Sequence, residues 1–222
     1  MSVESDTAGA HAAAEAPPAT PAPNPTAMGL ITFIPGGMIL GLWFVGYLPT
    51  SELPGGMIPI VLFCTGLFEL ITTVLAIRAG QNAVGAIFGV FSSFWISFGV
   101  LLLLLNNGLI INATGADAAS QTLTTAQSFQ IQAAYLLAYT VTFILLTLFT
   151  LRLPIAFTTA FVFVTVTFVL AYLGVALGAT GLFPIAGITT FIFTLLFAYI
   201  LFDAFNQELG GKALAMGNPI QK

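Results

Sequence analysis

Six apolar stretches, at about 28–48, 56–77, 83–105, 130–151, 154–177 and 183–204, dominate the chain. Each has the roughly 20 residues that an α-helix needs to cross about 30 Å of hydrocarbon. They do not alternate in polarity, which excludes a transmembrane β-barrel. Only 5% of the 222 residues are charged, against about a quarter in an ordinary soluble domain. So few charges cannot cover a water-soluble surface. The expected fold is an all-α integral membrane protein with six transmembrane helices, occupying residues 27–206 as one domain.

Residues 1–26 are Ala/Pro-rich and polar, with no basic leader, and read as a disordered tail rather than a signal peptide. Residues 207–222 form a second, shorter tail. Between spans, 106–128 is the one sizeable loop, and Arg152 and Pro154 mark a tight turn. Proline disfavours helix at the residue before it and suits a helix's first turn. Six spans put both tails, the turn at 78–82 and the turn at 152 on one face. Arg78, Arg152, Lys212 and Lys222, all the basic residues there are, lie on that face. By the positive-inside rule it is cytoplasmic, and the chain is expected to be multi-pass in a cell membrane.

His11 and Cys64 are the single histidine and cysteine. That leaves no disulfide, no His/Cys metal set and no Ser-His-Asp triad, so neither an enzyme nor a cofactor is expected. Nor do four basic residues suggest a nucleic-acid partner. The group that stands out is Glu69, nine residues before Arg78 and so roughly 13 Å from the cytoplasmic end at 1.5 Å per residue. An ionisable group at that depth faces a cavity or a partner. Thr65, Thr72 and Thr73 share its helical face. Glu69 is therefore either a hydrogen-bonded packing group or a proton relay beside a pore. Ser92, Ser93 and Ser97 line a path or simply permit close helix contact. The many threonines of the fifth and sixth spans can bond back to their own helix carbonyls. Asp203 and Glu208 close the last helix, where acids oppose the macrodipole.

The first span opens with PNPTAMGLITF at 23–33. Asn24 can cap the helix and Pro25 fits its first turn. Gly29 costs about 1 kcal/mol inside a helix and points to a close neighbour. This stretch also carries a resemblance. Asn24-Pro25-Thr26-Ala27-Met28-Gly29-Leu30 is similar to the Asn-Pro-Ala-Pro-Leu-Gly-Leu signature of the acetate uptake transporters, which include bacterial succinate–acetate/proton symporters and fungal acetate and ammonia-export proteins. Gly46-Tyr47, Gly80-Gln81-Asn82 with Ser93-Phe94-Trp95, Thr150-Leu151-Arg152, and the Asp203, Asn206, Gly210 pattern follow in the family's order.

The resemblance implies six-helix protomers, each with its own pore, assembled as a homo-hexamer in lipid. It implies transport of acetate or other short monocarboxylates, succinate included, with protons or in a channel-like manner. It also implies a pore constriction on Phe33, Phe91 and Val164, with Asn24, Pro25, Gly29, Ser93 and Thr150 along the substrate path. Several positions depart from the family pattern: Ala27 replaces a Pro, Trp43 a His, Phe91 a Tyr, Val164 a Leu and Glu69 a Gln. An acid at the last position makes Glu69 the candidate proton relay. Two other readings stand beside this one. A urea, amide or other small neutral-solute channel fits the absence of Lys and Arg within the spans; a non-transporting membrane adaptor or sensor fits the helices but not the short tails.

Overall fold

The computed structural model describes residues 24–48, 55–107, 109 and 118–221, with the backbone alone over 118–125. Most of the tail expected to be disordered lies outside the described residues, as does Lys222. The described chain is helical, with no strand. Its elements are α1 (Thr26–Phe44), a 3₁₀ turn (Gly55–Met57), a π-helix (Ile60–Gly66) continuing into α2 (Leu67–Arg78), α3 (Asn82–Asn106), α4 (Ala118–Thr150), α5 (Ile155–Ala176) and α6 (Leu182–Glu208). Six of the described helices are long and apolar enough to cross a membrane. The chain is a multi-pass membrane protein.

Two elements differ from the sequence reading. Residues 118–128, expected within a loop, are helical, because Ala118–Ser128 holds neither Gly nor Pro to break the helix. The second span is wound in two ways. It starts as a π-helix and tightens to α-helix after Gly66. At that junction α3 comes very close: a Cβ on Gly66 would lie 2.7 Å from Ile96 Cγ1 and 3.1 Å from Ile96 N. Ser92 Oγ donates to the Gly66 carbonyl at 2.8 Å across the same contact.

Helix contacts in lipid rest on small residues and hydroxyl bonds, since the hydrophobic effect does not separate helix from lipid tail. Gly37 faces Thr194, and Gly41 faces the Phe191 ring. A Cβ on Gly187 would meet backbone, 2.8 Å from Val45 N and 3.0 Å from Gly41 O, so α1 and α6 touch along their axes. Thr167 and Thr189 join α5 to α6 at 2.6 Å, and Thr147 and Thr165 join α4 to α5 at 2.8 Å. Most of the remaining buried threonines bond to a carbonyl one turn back, as Thr72 does to Phe68 and Thr194 to Thr190. The protomer's centre is aromatic: Phe33, Phe91, Phe94, Trp95, Phe143, Phe161 and Phe197 are all buried. Large apolar side chains such as Phe149 (73% exposed) and Leu195 (67%) stand on the outside, as lipid requires.

Candidate transport pathway

A cavity of about 920 Å³ opens on the face where α1 begins and α6 ends. Its wall comes from α1, α3, α5, α6, the α4–α5 turn and the segment after α6. Because Asn24, Ala83, Leu153 and Glu208 all line it, both ends of the described chain and two turns share that terminal face. Polar groups collect at the mouth: Asn24, Asp203, Gln207 and Glu208. No Lys or Arg is among the lining residues. Further in, the wall is apolar and ends on the rings of Phe33, Phe91, Phe161 and Phe197.

Those four rings close on one another. Centroids lie 5.0 Å apart for Phe33 and Phe91, 4.9 Å for Phe33 and Phe197, 5.6 Å for Phe91 and Phe161, and 5.8 Å for Phe161 and Phe197. Four helices thus contribute one ring each to a plug of mostly edge-to-face contacts, the arrangement that aromatic quadrupoles favour. Behind it stand Phe193 and Trp95, each 5.8 Å from Phe33. The Nε1 groups of Trp95 and Trp43 and the Thr65 hydroxyl are buried, with no hydrogen bond among the described residues.

The residues singled out in the sequence distribute unevenly around this route. Asn24 stands at the mouth, where its Oδ1 accepts the Thr26 N–H at 3.1 Å, leaving the rest of the amide to the cavity. Pro25 occupies the cap position itself, and its carbonyl accepts the Gly29 N–H. Gly29 lies under the Phe88 ring, which leaves no room for a Cβ. Phe33 and Phe91 sit in the plug. Val164 is fully buried but does not line the cavity; Phe161, one turn before it on α5, does.

Glu69, Ser93 and Thr150 do not line the cavity either. Ser93 donates to the Val90 carbonyl and meets the Tyr139 hydroxyl, within a cluster that also joins Ser97 and Tyr135. Thr150 is buried where α4 ends; its hydroxyl donates to Thr147 O and its carbonyl accepts from Thr158, fixing the α4–α5 turn. Glu69 is fully buried on α2, and neither carboxyl oxygen has a hydrogen-bond partner among the described residues. Its neighbours on α2 set its level. Gly66 accepts the Ser92 hydroxyl one turn before it, and one turn after it Thr73 Cγ2 would lie 3.4 Å from a Cβ on Gly89. Glu69 is therefore level with Phe88–Ser92 of α3, and so with the plug residue Phe91.

Phe161 and Phe197 were not legible in the sequence as wall residues. The chain has 21 phenylalanines, and no spacing separates those that face a route from those that face lipid.

Comparisons with known proteins agree with this architecture. A solved structure titled as that of the bacterial acetate channel SatP superposes with a TM-score of 0.73 at 24% identity. The match covers 88% of this chain and 99% of that one, and shows that the two share a fold. No curated protein sequence matches significantly. The profile of the GPR1/FUN34/yaaH family matches residues 8–209, nearly the whole chain. With that span matched, the chain belongs to the GPR1/FUN34/yaaH family.

Proposed function

We propose that the protein carries acetate or another short monocarboxylate across the membrane, through the terminal-face cavity and the four-phenylalanine plug, and is not an enzyme. The observation that carries this reading is the continuity of a polar mouth, an apolar vestibule and a ring-lined constriction within one protomer. The structural likeness to a protein titled an acetate channel supports the substrate class. The terminal face is cytoplasmic, since Arg78, Arg152 and Lys212 lie on it.

The chemistry fits a small carboxylic acid. With an ordinary carboxyl pKa near 4.3, only about 0.2% of such a solute is protonated at pH 7, and its anion crosses hydrocarbon at high cost. An apolar constriction of aromatic rings suits a methyl group and disfavours large or strongly hydrated ions. Moving a proton with the anion neutralises the load at the plug. Glu69, buried with no hydrogen-bond partner among the described residues and at the level of Phe91, is the relay for that proton. Phe33, Phe91 and Val164 belong to the constriction, with Phe161 and Phe197 completing its wall. Six such protomers form the assembly.

A neutral-solute channel is the second reading, and one observation favours it: among the described residues no basic side chain lines the cavity to hold a carboxylate. Uptake of labelled acetate and labelled urea into proteoliposomes, with and without an inward proton gradient, separates the two. Acetate uptake stimulated by the gradient is expected. Urea flux without acetate flux would overturn the carboxylate reading.

A further inference from the structure

The segment after α6 does not leave the protein as a tail. It turns back at once and lies along the rim of the cavity. Gly210 adopts φ +81, a left-handed conformation that suits glycine, and ends α6. The Asn206 side chain then donates to the Lys212 carbonyl. Beyond this turn, the Leu214 N–H donates to Asp203 Oδ1 at 2.6 Å. The Tyr199 hydroxyl donates to Ala215 O at 3.1 Å, and the Ala156 N–H to Met216 O at 3.1 Å. Finally the Gln221 N–H reaches Leu151 O in the α4–α5 turn at 2.9 Å. Residues 212–221 thus form a strap from the end of α6, past the start of α5, to the end of α4.

The strap has no regular secondary structure, and exposure alternates along residues 213–217. Leu214 and Met216 are half-buried, while Ala213, Ala215 and Gly217 are exposed. Ala213, Leu214, Met216 and Gly217 line the cavity mouth. Asp203 lines it too and is only 7% exposed; its second oxygen accepts the Gln207 Nε2–H at 2.8 Å. The Asp203, Asn206, Gly210 spacing is therefore a clamp and a turn. Asp203 grips the strap, Asn206 shapes the bend, and Gly210 reverses the chain.

We propose that the strap is the size filter of the cytoplasmic mouth: Leu214 and Met216 narrow it against branched or longer carboxylates, and Asp203 is the residue that positions them. This rests on the reading that solute passes through this vestibule, and adds a selectivity step ahead of the aromatic plug. Asp203 acts here as a hydrogen-bond acceptor, not as a charge. Asparagine keeps an acceptor for Leu214 N–H and meets Gln207 after an amide flip, whereas alanine keeps neither.

The test compares butyrate with acetate flux in proteoliposomes of the full chain. Asp203→Ala and the double variant Leu214→Ala/Met216→Ala are expected to raise the butyrate-to-acetate ratio about tenfold, the scale on which apolar pockets discriminate a methylene or two. Asp203→Asn is expected to keep the native ratio. A second readout needs no transported solute. With Cys64 changed to Ser, a cysteine at Ile200 inside the cavity is labelled from the terminal face by a small and by a bulky thiol reagent. The Asp203→Ala change is expected to speed the bulky reagent selectively. An unchanged flux ratio and unchanged bulky labelling in the Leu214→Ala/Met216→Ala protein would overturn the filter. A loss of selectivity in Asp203→Asn equal to that in Asp203→Ala would overturn the clamp. If wild-type protein passed urea and neither carboxylate, the carboxylate reading alone would fall, and labelling would still decide the strap.

Discussion

Asn24 divides its amide between two tasks. Oδ1 holds the Thr26 N–H and so starts α1, while the remainder faces the vestibule. Losing one such hydrogen bond costs about 0.5–1.5 kcal/mol, which five further helices can absorb. Asn24→Ala is therefore expected to leave most of the protein folded by size-exclusion chromatography and to lower acetate uptake by more than the loss of folded material. At Glu69 the expected effect is of another kind. Glu69→Gln keeps the volume and removes the titratable group, so uptake is expected to lose its stimulation by an inward proton gradient while its rate without the gradient changes little. Unchanged stimulation would remove Glu69 from the proton route. Residues of this sort were legible in the sequence because a polar group in an apolar span has no ordinary reason to be there. The plug phenylalanines carry no such mark. Phe161 and Phe197 became visible only when four helices brought their rings together, because ring chemistry is identical on the lipid face and in the pore.

Among the helices, the apolar runs set number, type and approximate length from the sequence alone. What they could not set was winding and reach. The π-helix of Ile60–Gly66 depends on the fit of Gly66 against Ile96 and Ser92, a tertiary contact. The early start of α4 at Ala118 depends on polar residues that are compatible with helix outside the membrane. Gly187 offers the sharpest test at this scale. Its missing side chain lets α6 rest against the backbone of α1, where nothing can move aside. Gly187→Val is expected to destabilise the protein by about 1–3 kcal/mol, as overpacking does, seen as a lower melting temperature in detergent. Gly89→Ala is the control: a Cβ there would stand 3.4 Å from the nearest atom, Thr73 Cγ2, which is ordinary contact. An equal loss at both sites would show that the α1–α6 contact is not set by Gly187.

As a whole molecule, the protomer separates support from route. The helices α1, α3, α5 and α6 line the cavity, while α2 and α4 contribute no lining residue among the described residues. Of the residues expected along the path or as the relay, Asn24 lines the cavity, whereas Pro25, Gly29, Glu69, Ser93 and Thr150 are not among its lining residues; polarity in a span also marks helix contacts. Of the three residues expected at the constriction, Phe33 and Phe91 line the cavity, and Val164 is buried one turn beyond the lining residue Phe161. The route through the plug is tested most directly at Phe197, whose ring contacts Phe33, Phe91 and Phe161 together. Acetate flux into proteoliposomes is to be measured for wild-type and Phe197→Ala protein at matched amounts of folded protein. If solute passes between these rings, removing one is expected to raise flux by about tenfold, equivalent to about 1.4 kcal/mol off the barrier. Wild-type flux in a folded Phe197→Ala protein would contradict a pathway through the plug.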